Sequence, residues 1–301
     1  METFFSFLAK RVDDCSSLLC VGLDPHSSDL PAPTAEAART FCLRLVKATA
    51  SYAAAFKPNA AFFELYGPEG WSALKDVIAA VQEQSDRLGS RIPVILDAKR
   101  GDIASSAEAY AKSAFENLGV HAITLSPYLG KDSIDPFLAY KEKGVFLLCK
   151  TSNPGAVDLQ NLTIDHIVPE GYRPHRTRRV LTMDDEPSSI VHSPSSMPLY
   201  EHIAYLAQNW NTGNNIGLVV GATQPEALTR VRAAAPDLWF LVPGVGTQGG
   251  DLETALKSGL RADGKGMLIN VSRGISRAEN PAKAAAEMRD AIINIQYALK
   301  H

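Results

Sequence analysis

The 301-residue sequence predicts a (β/α)8 (TIM) barrel as a single domain spanning residues 1–301, and three observations carry that prediction. Eight short apolar runs recur along the chain, most of them are followed by helical periodicity, and polar residues gather at the C-terminal ends of the runs. Continuous rather than alternating hydrophobicity marks strands buried on both faces. Strand and helix alternating through eight repeats fit a closed barrel better than an open sheet. A doubly wound sheet is the alternative, since a weak run such as Ala54–Lys57 need not be a strand.

In chain order, Met1–Val12 reads as a short amphipathic helix. Its apolar run is too brief for a signal peptide, and its positive charges come after that run. The strands are Leu18–Leu23, Ala54–Lys57, Val94–Lys99, Ala122–Ser126, Val145–Thr151, Ile216–Ala222, Trp239–Val245 and Met267–Val271. Alanine-rich stretches between them, at Glu36–Tyr52, Glu69–Leu88, Ser105–Leu118, Gln224–Ala235 and Asp251–Ser258, carry apolar residues at helical spacing. Residues from about 161 to 198 break the rhythm, being rich in Pro, Ser, Arg and His without a sustained period. Long irregular loops inside compact domains are either functional or disordered, and both readings stay open.

Composition narrows the function. Hydrophobic residues make up 46% and charged ones 21%, enough for a sizeable core. A net charge of −3 gives no basic face for nucleic acid, and the cluster Arg173, Arg176, Arg178 and Arg179 reads as a solvated loop. Cys15, Cys20, Cys42 and Cys149 form no CxxC pair, and Cys20 and Cys149 sit inside apolar runs as small hydrophobes. With no run of membrane-spanning length, the expectation is a cytoplasmic protein.

Asp24, Lys57, Asp97, Lys99, Ser126, Thr151, Ser152, Gly244 and Arg273 all fall at or just beyond strand C-termini, the face where barrel active sites gather. The densest group is Ile95-Leu-Asp-Ala-Lys-Arg-Gly-Asp-Ile103, a strand ending in two carboxylates and an ammonium. Alternation places Asp97 and Lys99 on one side, and Gly101 permits a tight turn before Asp102. Two further segments suit phosphate: Pro243-Gly-Val-Gly-Thr-Gln-Gly-Gly250 after the seventh strand and Asn270-Val-Ser-Arg-Gly-Ile275 after the eighth. Loops there often bind phosphate through backbone N–H groups, with Arg273 as a charged clamp.

Other chemistries fit less well. The histidines show no metal-ligand spacing; His26, His121 and His202 read as surface or cap residues. There is no G-x-S-x-G elbow and no Walker lysine loop. A Schiff-base Lys99 would have to be neutral, whereas Asp97 and Asp102 favour its charged form. Lys99 suits proton donation instead.

Asp97-x-Lys99-x-x-Asp102 resembles the signature of the orotidine 5′-monophosphate decarboxylases and their barrel relatives. Val21-Gly-Leu-Asp-Pro25, Phe56-Lys-Pro-Asn59, Lys150-Thr-Ser-Asn-Pro-Gly155 and the Pro243–Gly250 loop are similar to the longer bacterial-type branch of that family. The resemblance covers the chain outside the insertion. It implies decarboxylation of orotidine 5′-monophosphate to uridine 5′-monophosphate, the last step of de novo pyrimidine nucleotide synthesis, without metal or organic cofactor. It also implies a homodimer with sites at the subunit interface. Lys99 would protonate carbon-6, Asp97 would lie against the substrate carboxylate, and Lys57 with Asp102 of the other subunit would hold the array. Asp24 would bind ribose hydroxyls, Ser152 the pyrimidine, Gln248 base and phosphate, and Arg273 with Gly274 the phosphate. Ser106 stands where the family commonly has Thr, keeping the hydroxyl for a ribose contact.

Two competing readings remain. Magnesium-dependent sugar-phosphate enzymes of the same barrel superfamily share DxKxxD, but they typically place an acidic residue where this chain has Lys57. A non-catalytic nucleotide-binding scaffold would be suggested by loss of Lys99 or Asp97, and both are present.

Overall fold

The apolar runs form the strands of one barrel in a computed structural model that describes residues 2–166, 195–246 and 249–300. Helix α1 (Phe4–Cys15) precedes β1 (Leu19–Leu23), α2 (Ala35–Thr49), β2 (Ala55–Pro58), the short α3 (Ala61–Glu64) and α4 (Gly67–Leu88). Then come β3 (Ile95–Arg100), α5 (Ala104–Lys112), β4 (Ala122–Leu125), α6 (Asp135–Leu138) and β5 (Gly144–Lys150). A hairpin of β6 (Thr163–His166) and β7 (Ser195–Pro198) leads into α7 (Leu199–Trp210) and β8 (Ile216–Val220). The chain closes with α8 (Pro225–Ala234), β9 (Phe240–Pro243), α9 (Leu252–Gly259), β10 (Met267–Val271), α10 (Arg273–Ser276) and α11 (Pro281–Lys300).

The eight barrel strands are parallel and ordered β2-β1-β10-β9-β8-β5-β4-β3. Bridges Phe56–Val94 and Asn59–Asp97 join β2 to β3 and complete the ring. Burial explains the continuous hydrophobicity: every residue of β1, β8 and β10 is buried, packed between barrel interior and helices. The Cys20 and Cys149 thiols are buried too, and desolvation pushes Cys20 up to about 12, which leaves it an inert packing group.

The N-terminal helix is amphipathic as expected, with Thr3 as its cap: the Thr3 hydroxyl accepts from the Ser6 N–H. Phe4 packs edge-on to Phe146 at 6.1 Å and Phe5 stacks on Trp239 at 6.4 Å, so α1 covers the barrel end opposite the strand C-termini.

Several expectations need correction. The interruption at 161–198 is not irregular throughout: Thr163–His166 pairs antiparallel with Ser195–Pro198, while residues 167–194, with the arginine cluster, lie outside the described residues. The helix expected over Ser105–Leu118 changes to a π-helical turn at Ser113–Asn117. Helices α7 and α11 had no counterpart in the sequence reading.

His121 is largely enclosed rather than superficial. Its Nδ1 accepts the Val94 N–H at 3.1 Å, and its ring meets Phe7 edge-on at 5.2 Å. Burial first, then the charges of Lys143 and Arg91, lower its pKa from the ordinary 6.5 to about 4. In the unfolded chain His121 binds a proton below about 6.5, and in the folded chain only near 4. Its contribution is therefore present above pH 6.5 and lost as pH falls toward 4, amounting to about 3 kcal/mol at most. The melting temperature is expected to fall across that window, and His121→Asn, which keeps an acceptor but cannot protonate, should flatten the fall. An unchanged slope in the variant would assign the acid lability to other groups.

Candidate active site

The site forms where β1, β2, β3, β9 and β10 end. Lys57, in the fully buried β2, has a side chain only 5% exposed, and its Nζ lies 2.8 Å from Asp97 Oδ2 on the neighbouring β3. Lys99 Nζ lies 2.5 Å from the other oxygen, Asp97 Oδ1. One carboxylate thus joins two ammonium groups, a buried one below and a half-exposed one above.

Charge states follow from this packing. Burial opposes the Lys57 ammonium, but the Asp24 and Asp97 carboxylates outweigh it and hold its pKa above the ordinary lysine value. Burial likewise opposes ionised Asp97, and Lys57 and Lys99 together pull its carboxyl below the usual carboxylate range. Burying a cation this deeply costs several kcal/mol before pairing. A barrel built only for stability would place an apolar residue at position 57.

Asp97 and Lys99 do meet, but not by simple strand alternation. The pairing of β3 with β4 shifts register between Leu96 and Arg100, and Lys99 has a left-handed backbone with φ of 48°. That conformation costs a non-glycine residue about 1–2 kcal/mol, and such strain is concentrated at functional positions. Gly101, expected to supply the turn, is not left-handed. A side chain there would sit 3.2 Å from Ser126 Cβ, so glycine permits a close approach, while Lys99 and Ala104 take the positive φ values.

Beside this array lies a cavity of about 290 Å³ lined by Asp24, Asn59, Phe62, Gly244, Asn270 and Arg273, among others. Asp24 Oδ1, Asn270 Oδ1 and Ser272 Oγ are buried at its wall without a hydrogen-bond partner among the described residues. Buried polar atoms are normally satisfied, and three orphans around one cavity make it the candidate ligand site. Arg273 has no ion-pair partner among the described residues, whereas nearby Arg277 is held by Asp29 at 3.1 Å. Gly244, Gly246 and Gly249 adopt positive φ, and the loop folds on itself through Gly250 N–H to Gly244 carbonyl at 3.0 Å.

Ser152 follows β5 at the same end of the barrel. Its loop is braced by Gln160, which accepts the Thr151 N–H at 2.9 Å and donates to the Thr151 hydroxyl at 2.8 Å. Gly274 is exposed in α10 next to Arg273, and Ser106 is exposed in the first turn of α5. Asp102 does not join the array: its Oδ1 accepts the N–H of its neighbour Ile103 at 2.8 Å. Gln248 lies outside the described residues. Asn59, Asn270, Ser272 and His26, which meets Phe62 edge-on at 4.5 Å, line the cavity without having been assigned a role. All but His26 lie inside motifs already singled out, so their position beside Lys57 and Arg273 was the available signal.

The chain is similar to known proteins over nearly its whole length. A curated protein from Roseiflexus sp. (strain RS-1), named orotidine 5′-phosphate decarboxylase, is 42% identical over 287 residues, covering 94% of this chain and 92% of that protein. The structure of Leishmania donovani OMP decarboxylase is 50% identical with a TM-score of 0.79, covering 98% of this chain and 99% of that one. A Toxoplasma gondii structure, described as a putative orotidine-monophosphate-decarboxylase, is 41% identical with a TM-score of 0.84, covering 99% and 98%. With the family model matched over residues 17–178 and 183–288 as well, the chain belongs to the orotidine 5′-phosphate decarboxylase / HUMPS family.

Proposed function

We propose that the protein decarboxylates orotidine 5′-monophosphate to uridine 5′-monophosphate, and that Lys99 is its proton donor. The observation that carries this reading is the Lys57–Asp97–Lys99 array beside a cavity with unsatisfied polar walls. Breaking the bond from carbon-6 to the carboxylate releases carbon dioxide and leaves an electron pair on a poorly delocalising ring carbon. An ammonium about 4 Å away stabilises that charge by roughly 4 kcal/mol at an effective dielectric of 20. Lys99 then gives a proton to carbon-6 and recovers one from solvent. Its half-exposed side chain suits both steps.

Asp97, kept ionised by two lysines, faces the departing carboxylate, and Lys57 anchors it from below. Asp24 takes the ribose hydroxyls, Ser152 the base, Gln248 both base and phosphate, and Arg273 with Gly274 the phosphate. The step requires no metal or organic cofactor. The sugar-phosphate alternative gains nothing from Lys57, whose buried charge opposes a divalent cation at the same spot. Substrate labelled in its carboxyl carbon should release one labelled carbon dioxide per uridine 5′-monophosphate formed. Label retained in a nucleotide product would remove the reading.

The active form is proposed to be a homodimer sharing its sites, with Asp102 and Ser106 reaching the partner's substrate. Two features support this: Asp102 stands apart from its own array, and Leu65, Ile103, Tyr128, Leu129 and Val157 are exposed on segments following β2 to β5. Mixing inactive Asp102→Ala and Lys99→Ala chains should restore about a quarter of wild-type activity, because each hybrid regains one complete site. No recovery after verified subunit exchange would place Asp102 within its own site.

The protein is proposed to act in the cytoplasm on a small nucleotide, without nucleic-acid or membrane partners. Among the described residues no helix is long and apolar enough to cross a membrane.

A further inference from the structure

Thr124 lies on β4, one strand away from the charged array, and is 1% exposed. Its hydroxyl accepts the N–H of Ala98 at 3.1 Å and the N–H of Lys99 at 3.0 Å. The same hydroxyl donates to Asp97 Oδ1 at 3.1 Å. A hydroxyl offers one proton and two lone pairs, and here all three are used on three consecutive residues.

Those residues sit where β3 departs from regular pairing. The register with β4 shifts between Leu96 and Arg100, and Lys99 takes its left-handed turn. A bulge of this kind takes backbone N–H groups out of the regular ladder, and a buried N–H without a partner is costly. Thr124 supplies the partner from the neighbouring strand. Its remaining proton is then aimed at the carboxylate oxygen that also receives Lys99 Nζ.

We infer that Thr124 is a positioning residue for the reaction: its single hydroxyl locks the left-handed turn at Lys99 and fixes the rotation of Asp97. The inference rests on the reading of Lys99 as proton donor. It assigns Thr124 no contact with substrate. Small displacements at a reacting centre lower turnover far more than they lower ground-state binding, so the effect should fall on kcat.

Thr124→Val keeps the shape and removes the hydroxyl, whereas Thr124→Ser keeps the hydroxyl and removes a methyl. Thr124→Val is expected to lower kcat about 100-fold while KM and uridine 5′-monophosphate affinity stay within about threefold. Thr124→Ser should recover most of the turnover. Wild-type kcat in Thr124→Val would overturn the inference. So would parallel loss of kcat and nucleotide affinity that serine fails to rescue, which is the behaviour of a purely structural residue.

Amide hydrogen exchange gives a readout that does not depend on the reaction. In Thr124→Val the amides of residues 98 and 99 should exchange at least about tenfold faster while the rest of β3 keeps its protection. Unchanged exchange there would contradict the lock. Should valine prevent folding, the same split and the same exchange are expected of Thr124→Ala. If wild type itself fails to convert orotidine 5′-monophosphate, the functional reading falls, and the exchange result alone decides whether Thr124 holds the turn.

Discussion

Replacing Lys99 with alanine is expected to lower kcat by about 10,000-fold or more while the folded protein still binds uridine 5′-monophosphate. The size follows from two losses at one atom. General acid catalysis contributes roughly 100- to 10,000-fold. A preorganised charge at the site of developing negative charge contributes on the order of another 100- to 1,000-fold. Stability should change little by comparison, because Lys99 is half exposed, and removing it leaves Asp97 still paired with the buried Lys57. The measurement is kcat for purified Lys99→Ala with nucleotide binding by calorimetry. Turnover within tenfold of wild type would take the donor role away from Lys99.

Arg273→Ala is expected to raise KM for the nucleotide about 100-fold. Truncating one side of an enclosed charged hydrogen-bonded pair costs roughly 2–5 kcal/mol, and each 1.4 kcal/mol is about tenfold. The guanidinium lines the cavity without an ion-pair partner among the described residues, so its charge stands ready for an anion. A contact with phosphate remote from carbon-6 would stabilise ground and transition states alike and would show mainly in KM. An unchanged KM would move the phosphate to another part of the site. A large fall in kcat at saturating substrate would mean that phosphate binding energy is used at the reacting carbon.

The barrel was legible because its signal is local and repeated. Runs such as Leu18–Leu23 and Ile216–Ala222 carry no polar side chain, and both became buried strands. Helix α7 was hidden by the irregular stretch immediately before it. Helix α11 follows the last strand, where no further strand frames it. Hairpin β6–β7 pairs segments about 30 residues apart across polar sequence, and no periodicity announces such a contact.

The candidate site was legible as a set of residues at strand ends rather than as a geometry. The spacing of Asp97 and Lys99 suggested that they meet, but nothing local indicates a left-handed lysine. No glycine or asparagine occupies that position, and the conformation is set by a hydroxyl on the adjacent strand, 25 residues away in sequence. His121 shows the same limit. A lone histidine gives no sign that Val94, Phe7 and Lys143 will enclose it. Asp102 stands out in the motif, yet in the fold it stands apart from the array and accepts the N–H of its neighbour Ile103. Asn59 and Asn270 lay inside recognised motifs, and only the folded barrel brings them to one cavity wall.

The most direct test is spectroscopic turnover of orotidine 5′-monophosphate by the purified chain in EDTA, followed through the pyrimidine ultraviolet band. Rapid, complete conversion to uridine 5′-monophosphate is the expected result, with no gain from added magnesium. Absence of conversion by verified folded protein, together with magnesium-dependent turnover of a sugar phosphate, would contradict the account.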